Sequence, residues 1–430
     1  MTEAALPADL LRQCTLPDYQ HSLANLAARL HGSTACPPLQ HPALDGLEQD
    51  ETVILLLIDG MGCAQLDSLV PGGWLQQQQV ATLHSVFPST TTAAITTLLT
   101  GLPPSQHSLL GWHVSAPEAG GIATPLPLRY HWQADDTQAL DDAALASALY
   151  SRPSALQGGQ RQHYVLQPEY IADSAYSRHH GGHAEHRPWR DYAQLFASLQ
   201  QLARQPGRKL VYAYIPDLDS LMHNKGTRHP RAQMLLTRLQ QHCAELAAAL
   251  PARCRVLITA DHGQADIPPP RMLFINDFPE LAAMLRQPLS GEPRAAFCHV
   301  QPGLQQAFRH AVTTTLGHAA WCLPAADVLA AGWFGPSPAH PQLAARCGDF
   351  LLLMKEDWGI LQTVGDEKRP ALLGNHGGLA AAEMQIPLIW PVAPPDAALA
   401  YSVAGQRACH SRQSWRLRLA ANTTRRRFCR

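Results

Sequence analysis

Val53-Ile-Leu-Leu-Leu-Ile runs without a polar interruption into Asp59-Gly60. A run this apolar, ending at a turn, suits a strand buried on both faces, as in a parallel sheet covered by helices on each side. Lys209–Ile215 and Arg255–Thr259 repeat the style, as does Asp349–Met354. Between them lie helix-type stretches, Thr92–Leu99, Arg190–Arg204 and Arg231–Leu250. Such alternation predicts an α/β fold built on a doubly wound, mostly parallel sheet with right-handed crossovers. Ligands in these sheets bind beyond the carboxyl ends of the strands. Asp59, Asp219, Asp261 and His262 all fall there.

The 430 residues suit one large α/β domain with an insertion, or two ordinary domains. Thirty-three Lys and Arg against 34 Asp and Glu leave a net charge of −1, so nothing global points to nucleic acid or to an anionic membrane. The ten cysteines form no C-x-x-C pair. Cys63, Cys254 and Cys298 sit in or beside apolar runs, which favours thiols over disulfides. Met1–Leu11 carries two acids and no basic stretch ahead of an apolar run, unlike a signal peptide. No apolar run approaches the roughly 18 residues of a membrane span. A cytoplasmic protein is expected.

Residues 1–50 read as a helical or irregular lead-in, and 51–393 as the catalytic domain. Two segments interrupt the alternation. His113–Pro188 has weak periodicity and is expected to cross the active-site face. Residues 268–347 carry their own strand-helix-strand-helix pattern (Arg294–Val300, Gly303–Leu316, Ala319–Leu323, Ala325–Ala331) and read as an inserted α/β cap subdomain. After the last expected strand, Ile386–Ile389, the chain becomes basic: no acid follows Asp396. Residues 394–430 read as a poorly ordered tail, and the lone Arg425-Arg426-Arg427 run is weak evidence for nucleic acid.

Five short segments carry the chemistry: Asp59-Gly60, Phe87-Pro88-Ser89-Thr90-Thr91-Thr92, Pro216-Asp217-Leu218-Asp219 with His223, Ala260-Asp261-His262-Gly263, and Gly374-Asn375-His376-Gly377-Gly378. A divalent ion such as zinc takes carboxylate and imidazole ligands, and two ions about 3.5–4 Å apart clamp the attacking and leaving oxygens of a phosphoryl group. Asp219 and His223, four apart, can face one ion with His376 closing the set. Asp59, Asp261 and His262 can hold the other, with a threonine bridging to it. A Thr hydroxyl at the start of the helix-type run from Ala93 would meet the positive end of the helix dipole. Taken alone, the same hydroxyls read as ordinary N-caps.

These segments, over roughly Val53 to Ile389, resemble the type I phosphodiesterase/nucleotide pyrophosphatase branch of the alkaline phosphatase superfamily. Laying that family's P-x-x-T…T-G pattern on Pro88 and Thr100-Gly101 puts the nucleophile at Thr91, with Thr90 as the other candidate. The resemblance implies two zinc ions: one on Asp219, His223 and His376, the other on Asp59, Asp261 and His262 with Thr91. It also implies a phospho-threonine intermediate and a small-molecule phosphodiester or nucleotide substrate. Where eukaryotic-type members place an Asn that holds a phosphate oxygen, this chain has Trp112, next to His113. Those two are the candidate substrate contacts, and the stabilising group must then be the nucleophile's amide, the metals or His113.

Other features have plainer readings. His179, His180, His183 and His186, with Gly181-Gly182 between, read as a mobile loop of solvated histidines rather than a third metal site. His84 and His107 read as structural. Trp112 and Tyr214 could stack on a base or aryl group, although packing is the default for aromatics near a sheet. No C/S-x-P-x-R sulfatase motif is present. A phosphonoacetate-hydrolase-like activity, with the same metals and a Thr, and a phosphomonoesterase remain open. A non-catalytic metal- or nucleotide-binding protein of this fold is disfavoured because the ligand set is complete.

Overall fold

A computed structural model describes residues 6–134 and 141–391. The basic tail expected at 394–430 lies outside them. A seven-stranded sheet organises the chain, in the order Gln79–His84, Gln385–Ile389, Cys254–Thr259, Thr52–Ile58, Lys209–Ile215, Gln162–Leu166 and Glu185–His186. The last five are mutually parallel, and Gln385–Ile389 runs antiparallel to both its neighbours. Every residue of Thr52–Ile58 and of Lys209–Ile215 is buried, as the unbroken apolar runs require. Helices cover the sheet, among them Thr91–Thr100, Tyr192–Arg204 and Pro230–Ala249. The expected alternation is therefore present, with boundaries shifted by a residue or two.

Two expectations need correction. His113–Pro188 is not simply a crossing segment. It folds a three-stranded antiparallel sheet (Val114–Ala116, Gly121–Thr124, Arg129–Gln133) and then supplies Gln162–Leu166 and Glu185–His186 to the central sheet. Gln162–Leu166 is the last strand but one and opens on an exposed and a half-buried residue, and Glu185–His186 is a two-residue edge strand, so neither carries the continuous apolar signal of the centre.

Phe350–Met354, which reads like a central strand, instead pairs in a second, antiparallel sheet ordered Ser290–Glu292, Ala295–Cys298, Phe350–Met354, Ala320–Pro324. Its composition has a simple cause. Leu351 and Leu353 pack with Phe297 and Trp321 on one face, while Phe350 and Leu352 meet Phe308 and Val312 on the other. With both faces covered, an antiparallel strand loses its alternation and resembles a parallel one.

The expected helices in this region appear as Gln305–Leu316 and Ala325–Ala330. The histidine cluster is a solvated loop only in part, at the exposed His183. Ala175–Gly181 is a helix, and His180 is buried with its ring 4.1 Å from that of Tyr176.

Candidate active site

The ends of the central strands carry the site. Asp59 follows Thr52–Ile58, and Gly60, at φ 72°, turns the chain. A Cβ on Gly60 would lie 3.1 Å from the Asp219 Cα, so a glycine is what lets these two segments approach. Asp219 and His223 lie one turn apart on the helix Asp217–Lys225, which starts directly after Lys209–Ile215. Their side chains meet at 3.4 Å, Oδ2 to Nε2. His376 closes this group, its Nε2 3.9 Å from Asp219 Oδ1. Asp261 and His262 follow Cys254–Thr259, and His262 Nε2 lies 3.5 Å from Asp59 Oδ1 and 3.4 Å from Asp261 Oδ2.

All six expected metal-site residues thus converge on one sheet edge. The rings of His262 and His376 stack at 3.8 Å, so the two groups abut. Ligand-type atoms of Asp219, His223 and His376 lie within 4.8 Å of one another, as do those of Asp59, Asp219 and His262.

The histidines are oriented from behind. His223 Nδ1 lies 2.7 Å from the Gly374 carbonyl, His376 Nδ1 3.1 Å from that of Ser89, and His262 Nδ1 3.0 Å from that of Gly263. An Nδ1–H donating to each carbonyl leaves Nε2 as a free lone pair turned into the cluster, the arrangement of metal-bound imidazoles. The carboxylates are held likewise. Tyr214 donates its hydroxyl to Asp59 Oδ2, Gln264 donates to Asp219, and the amides of Gly60 and His262 donate to Asp261 Oδ1 at 3.1 and 3.0 Å.

Asp59 Oδ1 and Asp261 Oδ2 are buried and accept no hydrogen bond. Burial, followed by the charges of Asp261 and Asp219, pushes Asp59 well above the usual carboxylate range. Burial and its histidine neighbours push His376 far down. Orphaned carboxylate oxygens facing bare imidazole nitrogens fit divalent cations, since a buried charge without a partner costs several kcal/mol.

Among the three adjacent threonines the structure separates the roles. The helix Thr91–Thr100 begins at the site with Thr90 as its N-cap. Thr91 Oγ1 faces the cluster, 3.1 Å from His262 Nε2 and 3.5 Å from Asp59 Oδ2. The Thr90 hydroxyl does not cap the backbone. It donates instead to Glu292 Oε1 at 2.5 Å.

Glu292 is the principal residue that sequence reasoning missed. It comes from the second sheet, is buried, and also accepts the Trp112 amide at 2.6 Å. The Trp112 backbone is thus committed at the position where the family resemblance expects an Asn side chain. Gly377, at φ 109°, packs so closely that its Cβ would fall 2.4 Å from that of Glu292. Nothing in the spacing of Ser-Gly-Glu-Pro announces this contact, because 202 residues separate Glu292 from Thr90.

Burial raises Glu292 from 4.5 to about 7. The folded protein then holds the proton to about pH 7 and the unfolded chain only to about 4.5, so stability is lost as pH rises through that window. In protein stripped of divalent ions by chelation, Glu292→Gln should gain about 3 kcal/mol on wild type between pH 5 and pH 8. Urea denaturation at both pH values checks this, and a constant difference would refute it.

Deeper, Arg294 and Glu383 form an almost fully buried pair at 3.1 Å. Glu383 also accepts the amides of Gly378 at 2.8 Å and Ala380 at 3.2 Å, which fixes the loop carrying His376.

His113 exchanges backbone hydrogen bonds with Gly291, and its ring stacks on His131 at 3.8 Å. Burial, aided by His131 and Arg129, drops its pKa to about 3, so the ring is neutral. Trp112 is 43% exposed and lines an apolar cavity of about 350 Å³. Tyr214 contributes its ring to that cavity while its hydroxyl serves Asp59. His107 is structural, bonded through its ring to Thr97 and the Leu109 amide. Among the described residues, the His179–His186 cluster forms no metal-type group.

A mostly parallel α/β sheet with this set of residues at its strand ends defines a hydrolase of the alkaline phosphatase superfamily. The chain belongs to the type I phosphodiesterase/nucleotide pyrophosphatase family, whose profile matches residues 53–379. No curated protein matches it in sequence. Among solved structures it is similar to murine ectonucleotide pyrophosphatase/phosphodiesterase 5 (TM-score 0.57, 16% identity, 78% of this chain and 87% of that one). It is also similar to the human counterpart (0.56, 18%, 78% and 87%). A third is phosphonoacetate hydrolase from Sinorhizobium meliloti, solved with phosphonoacetate (0.56, 17%, 81% and 94%). At such identities the likeness is one of fold. Among the described residues no helix is long and apolar enough to cross a membrane.

Proposed function

We propose that this protein hydrolyses phosphodiester or pyrophosphate bonds of a small molecule, nucleotides included, through a phosphorylated Thr91. One observation carries the reading: Thr91 Oγ1 lies at a helix start, 3.1 Å from His262 Nε2 and 3.5 Å from Asp59 Oδ2. Asp219, His223 and His376 would hold one divalent ion and Asp59, Asp261 and His262 the other, and the mixed imidazole and carboxylate donors suit zinc. When bound, the two ions supply Lewis-acid charge to the phosphoryl oxygens and favour the alkoxide of Thr91.

The protein's own residues do the rest. The helix N-terminus directs its dipole and free amides at the phosphoryl group. Thr91 Oγ1 bonds to phosphorus as the bond from phosphorus to the departing oxygen breaks, its proton ending on that departing group; water then bonds to phosphorus as the Thr91 O–P bond breaks and returns a proton to the hydroxyl. Glu292 ties down the Thr90 hydroxyl and the Trp112 amide, while Thr91 faces the cluster.

An inactive threonine-to-alanine form of the murine relative was solved with AMP, which supports a threonine at this step and a nucleotide-sized ligand. Residues 51–393 act as the catalytic domain, with about 268–347 as its inserted cap. The eight described cysteines are all free thiols, in keeping with a cytoplasmic setting. Purified, zinc-loaded protein should cleave aryl phosphodiesters in preference to aryl phosphomonoesters, and the reverse preference would overturn the assignment.

A further inference from the structure

Trp112 also lines a second cavity, of about 510 Å³, large enough for an organic substituent. Its character is different. His113, Thr124, Arg129, His131, Glu367 and Lys368 line it. Glu367 is engaged within the wall: one oxygen meets His131 Nδ1 at 3.3 Å and the other accepts the Val364 amide at 3.0 Å. Arg129 and Lys368 have no acidic partner among the described residues, and both are exposed. Two cations against one acid, Glu367, therefore line a concave surface that shares Trp112 with the apolar cavity. Trp112 is in turn tied through Glu292 to Thr90, next to Thr91.

We propose that Arg129 and Lys368 form an anion-binding subsite, so that the preferred substrate is a diester with unlike arms: an apolar one in the cavity lined by Tyr214 and an oxyanionic one in this second cavity. This deepens the hydrolase reading and rests on it. The guanidinium fork of Arg129 suits the paired oxygens of a carboxylate or a phosphate equally, and Lys368 adds a point charge. Because both groups are exposed, their attraction is weakened by salt. The His131–Glu367 contact stiffens the wall behind them; burial holds the His131 ring towards its neutral form, so Glu367 counts as one acid against the two cations.

The test uses matched diesters that differ in one arm: p-nitrophenyl ethyl phosphate, p-nitrophenyl carboxymethyl phosphate and p-nitrophenyl phosphonomethyl phosphate. Wild type should prefer at least one charged arm over ethyl by about tenfold in kcat/KM, mainly through KM. The better of the two charged arms identifies the oxyanion. In the Arg129→Ala/Lys368→Ala protein the preference should fall towards unity, and half-molar salt should lower it in wild type. A wild-type ratio near one, or a ratio that the double substitution leaves intact, overturns the subsite. If none of the three diesters is cleaved, the hydrolase reading falls instead. Calorimetric binding of the carboxymethyl and ethyl diesters to wild type and to the double variant then decides the subsite, since it needs no turnover.

Discussion

Thr91→Ala is expected to fold, to keep a divalent ion on Asp219, His223 and His376, and to lose at least about a thousandfold in turnover of a phosphodiester. The size follows from what is removed: the one hydroxyl that faces both Asp59 and His262. Thr90→Ala should behave differently. Its hydroxyl points to Glu292, so removal leaves a buried carboxyl with only the Trp112 amide and costs about 1–3 kcal/mol of stability, with a mild effect on turnover. Thr90→Ser should restore most of that loss. Trapping with a slow substrate and mass spectrometry locates the phosphoryl group. Label on Thr90 would shift the assignment by one residue, and label on a histidine would overturn the mechanism.

Asp219→Ala and His376→Ala should each lower bound metal by about one ion per chain and cut turnover by orders of magnitude. The fold should survive, because both residues sit at element ends and contribute little apolar burial. Asp219 is expected to be the more damaging, since its carboxylate belongs to both ligand-type groups whereas His376 belongs to one. Metal analysis alongside kinetics is the check, and unchanged stoichiometry with unchanged rate would remove both residues from the ligand set.

Much of this was legible in the sequence, for physical reasons that differ from place to place. Thr52–Ile58 and Lys209–Ile215 are buried on both faces, so composition alone marks them, and Asp59 and Asp219 follow from where those runs stop. Phe350–Met354 misleads because two cores enclose an antiparallel strand and erase the period of two. Gln162–Leu166 escapes because only its last three residues are buried, too short an apolar run to stand out. Within the site, the spacing from Pro88 to Gly101 points at Thr91, yet only the fold shows Thr90 turned towards Glu292. Glu292, Gln264 and Tyr214 act through contacts between distant segments, with no local pattern to find.

The pair Arg294–Glu383 bears on any attempt to reduce this protein to a minimal core. Excising the second sheet would look like trimming an accessory module from a self-sufficient scaffold. It would leave Glu383, beside the loop that carries His376, without its cationic partner, a defect worth about 3–5 kcal/mol, comparable to much of the stability of an ordinary domain. The same cut would take Glu292 away from Thr90. A truncated chain is therefore expected to unfold rather than to become a more open enzyme. Redesign of substrate range belongs in the outer loops, with the joint between the two sheets left whole.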